Sequence, residues 1–116
     1  MTTNIDLEKL AKKNKIPLDY IVFKNELIKL PKDKPLYIII NMSNVGHSGT
    51  HWVSLYYSPS FCVYFDPFGV EPPNEVIEFC GGKFLYSDYE IEDIDGTNCG
   101  QLSLKFLDIV NKALSS

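Results

Sequence analysis

Hydrophobic positions fall at helical spacing near the two ends of the chain and in strand-length runs through its middle. Leu7, Leu10 and Ala11 share one face of a short helix over Ile5 to Lys13, which Pro17 ends. Tyr20 to Phe23 reads as a brief extended piece. Asn25 to Leu30 reads as one helical turn, closed by Pro31. The turn Lys32-Asp33-Lys34-Pro35 feeds Leu36-Tyr37-Ile38-Ile39-Ile40-Asn41, a continuous apolar run that predicts a central strand buried on both faces. A glycine-rich loop over Asn44 to Thr50 precedes an aromatic-rich strand ending at Tyr57. After a tight connection a second strand follows, Phe61-Cys62-Val63-Tyr64-Phe65.

Asp66-Pro67-Phe68-Gly69 then turns the chain, and Pro72-Pro73-Asn74 opens a helix through about Phe79. Gly81-Gly82 breaks that helix, and Lys83 to Tyr86 predicts a fourth strand. The last helix is the clearest. Leu102, Phe106, Ile109, Val110 and Ala113 fall at i, i+4, i+7, i+8 and i+11, an apolar face. Asp95-Gly96-Thr97-Asn98 supplies capping residues, so the helix should begin near Cys99. Strands bracketed by helices make an α+β domain.

Composition narrows the picture. With 116 residues, 45% of them apolar and 22% charged, the chain reads as a single globular domain over 1–116. A formal net charge of −4 argues against a duplex-binding surface, and the lysines at 9, 12, 13 and 15 read as a solvated helix face. The three cysteines, Cys62, Cys80 and Cys99, lie at wide, irregular spacing that makes neither a disulfide framework nor a metal motif. That usage points to a reducing, intracellular setting. No run is long enough for a membrane span, and the N-terminus lacks the regions of a signal peptide.

The candidate chemistry gathers at the mouth of the two adjacent strands. If they pair antiparallel, the start of the first lies beside the end of the second, which brings His51 next to Asp66. A carboxylate that holds one imidazole nitrogen prepares the other to act as a base, the supporting half of a nucleophilic site. Of the three thiols, Cys62 sits in a strand between aromatics and reads as buried. Cys80 ends a helix, where the negative end of the dipole disfavours thiolate. Cys99 sits at a helix start beside Gly100, where unpaired amides favour thiolate and can also face an oxyanion. Cys99 is therefore the expected nucleophile.

Three motifs in this order, Gly49-Thr50-His51-Trp52, Phe65-Asp66-Pro67-Phe68-Gly69 and Asn98-Cys99-Gly100, resemble the adenovirus maturation protease (adenain) family. The SUMO-specific proteases and the proteases of virophages and Maverick/Polinton elements belong to the same wider circle. The match runs from about Leu36 to the C-terminus, and the compact form looks closest to the virophage and transposon branch. The resemblance implies a papain-like cysteine protease core with a mixed or antiparallel central sheet flanked by helices. It further implies His51 as general base and acid, Asp66 orienting it, and Cys99 attacking the scissile carbonyl. Trp52 would lend its backbone amide to the oxyanion hole and shield the His-Asp pair. The implied substrate is a capsid precursor cut after small, glycine-containing motifs, with release of a ubiquitin-like modifier as the alternative. The implied setting is a host cytoplasm or nucleus, or the interior of a virion.

Adenovirus protease uses DNA and a peptide as cofactors. The acidic balance of this chain argues against DNA and leaves room for an activating peptide; no metal or organic cofactor is implied. The sequence departs from the family at one place. Such proteases carry a glutamine shortly before the cysteine, whose amide donates to the oxyanion, whereas this chain reads Tyr89-Glu90-Ile91-Glu92-Asp93-Ile94-Asp95. Glu92 is the counterpart by spacing, with Asp93 second. An ionised carboxylate cannot donate and would repel the developing charge. Three readings stand open: a protonated Glu92, an oxyanion hole of backbone amides alone, or a weakened relative that keeps the groove as a protein-binding module.

Two further readings are weaker. His47 and His51 are four apart, a metal-ligand spacing on a helix, but Ser48-Gly49-Thr50 between them argues against a helix. The aromatics Tyr37, Tyr56, Tyr57, Tyr64, Phe65 and Phe68 could stack nucleic-acid bases, but strand alternation accounts for them as core and rim.

Overall fold

A computed structural model of the chain describes residues 3–42, 51–82, 84–87 and 99–115, with the backbone alone for 84–87 and Cys99. Helix α1 (Asn4–Lys13) is followed by strand β1 (Tyr20–Phe23), a 3-10 helix (Lys24–Lys29) and strand β2 (Leu36–Asn41). Strands β3 (Trp52–Tyr57) and β4 (Cys62–Phe65), helix α2 (Asn74–Cys80), strand β5 (Phe84–Ser87) and helix α3 (Cys99–Ser115) complete the order. The protein is an α+β domain around a mixed sheet.

The five strands lie side by side in sequence order. β2–β3 and β3–β4 are antiparallel, whereas the outer pairs β1–β2 and β4–β5 are parallel. Each parallel pair needs a crossover. The 3-10 helix supplies one and α2 the other, which is why two short helices sit on the same flank. The expected interior strand, β2, does lie between two neighbours, but the middle of the sheet is β3, whose six residues are all buried.

Period-two alternation sorts the side chains of the sheet onto two faces. Ile38, Ile40, Val53, Leu55, Tyr57, Cys62 and Tyr64 pack with Leu27 of the 3-10 helix and with Val76 and Phe79 of α2. Ile39 and Trp52, on the other face, pack with Leu7 and Ala11 of α1 and Leu104 and Leu107 of α3. Helix α1 begins at a capping box, in which the Thr3 hydroxyl accepts from the Asp6 N–H and the Asp6 carboxylate accepts from the Thr3 N–H. The Thr3 N–H, helped by the Thr3 hydroxyl, holds the Asp6 carboxyl below the usual carboxylate range.

Helix α3 corrects one expectation. Its buried positions are Gly100, Ser103, Leu104, Leu107 and Val110, whereas Ile109 is 54% exposed and Ala113 is exposed. Two overlapping apolar stripes run along this helix, and the sheet takes the one carrying the two leucines. Phe106, at the margin, stacks on Phe65 with ring centroids 4.6 Å apart. Among the described residues, no helix is long and apolar enough to cross a membrane.

Candidate active site

His51 stands one residue before β3 and Asp66 one residue after β4, so the antiparallel hairpin carries both to the same end of the sheet. Their side chains meet: His51 Nε2 lies 3.0 Å from Asp66 Oδ2. The carboxylate is 1% exposed and the imidazole 29%, so the acid is walled in and the ring keeps an open edge. The backbone fixes each partner. Met42 N–H donates to the His51 carbonyl at 3.0 Å, continuing the β2–β3 ladder past its last strand residue. On the acid's side, the Gly69 N–H bonds the Asp66 carbonyl at 2.8 Å, closing a tight turn over Asp66-Pro67-Phe68-Gly69. Gly69 continues from that turn at φ 72°, a left-handed conformation natural to glycine.

The second carboxylate oxygen of Asp66 is also engaged, accepting the Phe68 N–H at 2.8 Å. With one oxygen held by the turn and the other facing the imidazole, the carboxylate has little rotational freedom. An Asp66 carboxylate accepting from Nε2–H selects the tautomer in which Nδ1 carries the lone pair.

Phe68, which the sequence reading placed in the turn motif and among the sheet aromatics, is a site residue. Its ring lies 5.0 Å from that of His51, tilted by 39°. The register explains why. Ser54 pairs with Phe65 and Tyr57 with Cys62, and continuing the same register past the strand ends sets position 51 opposite position 68. Connection length was the available signal, since once the hairpin is closed at 58–61 the partner of each residue follows. Ser58 closes it, its N–H bonding the Phe61 carbonyl at 2.9 Å.

Trp52 is fully in the sheet and its indole belongs to the cluster with Leu7, Ile39, Leu104 and Leu107. The aromatic ring that lies against the His51 ring is that of Phe68. Because Met42 and His51 bond each other, ladder alternation turns the Trp52 N–H and carbonyl away from β2. The carbonyl accepts the Ser103 hydroxyl at 3.1 Å, a bond buried between β3 and α3.

Ser103 is a residue that sequence reasoning passed over. It pins α3 to the residue adjoining His51, and Cys99 begins the helix one turn earlier, about 5–6 Å along the axis. The described part of α3 runs from Cys99, next to a buried Gly100. The Cys99 side chain lies outside the described residues, as do Glu92 and Asp93, the expected oxyanion positions, and His47 with its glycine-rich loop. The described residues contain no group of three or more His, Cys, Asp or Glu side chains able to hold a metal.

The chain matches no protein-family model, and no curated protein is significantly similar to it.

Proposed function

We propose that the protein is a cysteine endopeptidase in which Cys99 is the nucleophile, His51 the general base and acid, and Asp66 the residue that orients the imidazole. The reading is carried by one observation, the 3.0 Å contact between His51 and a buried, twice-engaged Asp66 at the sheet end beside which α3 is pinned. A surface histidine needs no such support. An imidazole held in one tautomer by a carboxylate with no freedom to rotate is what proton transfer requires.

In this mechanism His51 Nδ1 takes the proton of the Cys99 thiol, and the thiolate attacks the scissile carbonyl carbon. The tetrahedral intermediate collapses as the imidazolium gives its proton to the leaving amine, leaving a thioester. Water deprotonated by His51 then releases the acyl product and regenerates the thiol. Asp66 stabilises the imidazolium at both stages. The backbone N–H groups of Trp52 and Cys99 are the donors assigned to the oxyanion. With Glu92 in place of a glutamine, the loss of one donor costs about 3 kcal/mol of transition-state stabilisation.

The substrate class rests on the resemblance of the three motifs to the adenain family. It favours maturation of viral or mobile-element capsid precursors by an adenain-type core, with cleavage after small, glycine-containing sequences. Removal of a ubiquitin-like modifier is the alternative, because both substrates present small residues before the cut.

Alkylation by iodoacetamide near neutral pH tests the reading. Cys99 should react well ahead of Cys62 and Cys80, and His51→Ala should abolish that preference. Equal, slow labelling of all three thiols would overturn the proposal in favour of a protein-binding module on the same scaffold. Incubation with candidate capsid precursors, followed by mass spectrometry of new termini, then identifies the cleavage motif.

A further inference from the structure

The other two cysteines meet at the opposite end of β4 from Asp66. Cys62 opens β4 and Cys80 closes α2; both are free thiols, 1% and 8% exposed. The topology dictates the encounter. β4 and β5 run parallel with Cys62 level with Phe84, so the helix that crosses between them must end near the start of β4. Gly81 and Gly82, at φ 64° and 77°, reverse the chain immediately after Cys80. Their N–H groups bond the Glu78 and Ile77 carbonyls at 3.2 Å, which closes the helix. From the β3 side, Tyr57 pairs with Cys62 in the sheet and sets its ring 5.0 Å from that of Phe79.

The two thiols lie in one buried cluster and are hydrogen-bonded, the Cys80 thiol donating to Cys62. That bond, aided by the Ser58 N–H and by Lys32, holds the Cys62 thiol below its ordinary range against the effect of burial. The same bond and burial push the Cys80 thiol up. The Lys32 ammonium is held nearby, 4.8 Å from the centre of the Phe79 ring. A cleft of about 270 Å³ lined by Lys32, Tyr57, Phe61, Phe79 and Cys80 reaches the Cys80 side of this corner. The spacing of the cysteines along the sequence predicted no disulfide framework; the fold nevertheless brings two of them together.

We infer that Cys62 and Cys80 are a second thiol site, oxidised reversibly by small hydroperoxides to an intramolecular disulfide that ties α2 to β4. With hydrogen peroxide, one of the two sulfurs gives up its proton and attacks one peroxide oxygen, and the O–O bond breaks. The departing hydroxide takes up a proton as water, leaving a sulfenic acid. The second sulfur attacks the first, the S–O bond breaks, and a second water leaves as the S–S bond forms. Two thiols lose two protons and two electrons, and one peroxide becomes two waters. Reduction by an external dithiol reverses the step. Because Cys62 and Asp66 are separated by the length of β4, about 13 Å, the site is independent of the proposed protease chemistry.

The test uses the whole chain, oxidised with hydrogen peroxide and digested without reduction. A peptide pair joined through Cys62 and Cys80 should appear, free thiols should fall by two per chain, and the melting temperature should rise by roughly 5–15 °C, reverting with dithiothreitol. Cys80→Ala should abolish the joined pair and the shift, whereas Cys99→Ser should retain both. The unmodified chain carries the decisive digest, so the result stands even if Cys80→Ala folds poorly. Linkage through Cys99, linkage between chains only, or sulfinic acid without any Cys62–Cys80 bridge would each overturn the inference.

Discussion

The two faces of the sheet are built from different kinds of contact. On the face covered by α2 and the 3-10 helix, Leu36, Ile38, Ile40, Val53, Leu55 and Val76 are each fully buried, and packing supplies most of the cohesion, with the Tyr57 hydroxyl donating to the Lys32 carbonyl at 3.1 Å at its rim. On the face covered by α1 and α3, directed hydrogen bonds join the packing. Ser103 donates to the Trp52 carbonyl at 3.1 Å, and the Tyr37 hydroxyl donates to Asn111 Oδ1 at 3.2 Å. Hydrophobic burial is strong and non-directional, so it holds a helix against a sheet without fixing its angular position. Hydrogen bonds are weaker and aimed, and they fix a helix along its axis. The helix that brings Cys99 to the sheet is the one held both ways. One face mainly stabilises the fold; the other also positions the candidate nucleophile.

The largest expected effect lies at the seam between the faces. In Asp66→Asn the side-chain oxygen can still accept the Phe68 N–H, so the turn survives. The amide now presents N–H to His51 Nε2, which forces the proton onto Nδ1 and removes the base from the side that must take the thiol proton. Alkylation of Cys99 at neutral pH should slow by about 10²–10⁴-fold, with a melting temperature close to that of the parent. A parent-like alkylation rate would remove Asp66 from the mechanism.

Leu55→Ala is the complementary break. Leu55 is fully buried on the α2 face, and truncation should cost about 2–5 kcal/mol in urea unfolding. Cys99 reactivity, measured where the variant remains folded, should stay near that of the parent. If it fell in proportion to stability, the two faces would not be separable.

Much of this division was legible in the sequence. The elements were readable because α1 and α3 are periodic and the strands are bounded by Pro, Gly and Asp. The encounter of His51 with Asp66 was readable because a short connection leaves one pairing sense. Three things were not readable, each because it depends on contacts between distant segments. Which apolar stripe of α3 faces the sheet depends on where Trp52 and Ile39 stand, and local periodicity fits both. Phe68 depends on a register that shifts with each residue in the connection. The approach of Cys80 to Cys62 depends on the parallel pairing of β4 with β5, which no local pattern encodes.

Ser103→Ala separates anchoring from packing. Removing one hydroxyl leaves the Trp52 carbonyl without that donor and should cost about 1 kcal/mol, little beside Leu55→Ala. If the bond sets the position of α3, Cys99 alkylation should nevertheless fall several-fold. Ser103→Thr, which keeps a donor, should recover part of it. A stability loss with unchanged alkylation would make Ser103 a packing residue only.

The smallest effect is the most pointed, because its sign differs. Tyr64 is fully buried on the α2 face, and its hydroxyl has no hydrogen-bond partner among the described residues. Burial, reinforced by the Asp66 charge, pushes its ionisation up, so the phenol is neutral throughout the pH range in which the protein folds. A buried hydroxyl with no partner among the described residues adds little to the packing, and its removal relieves a desolvation penalty of about 1 kcal/mol against a small loss of contact. Tyr64→Phe should therefore unfold at the same or slightly higher urea concentration, with an unchanged slope. A loss of more than about 1 kcal/mol would mean that the hydroxyl is bonded after all, and that Tyr64 adds a directed contact to the packing of the α2 face.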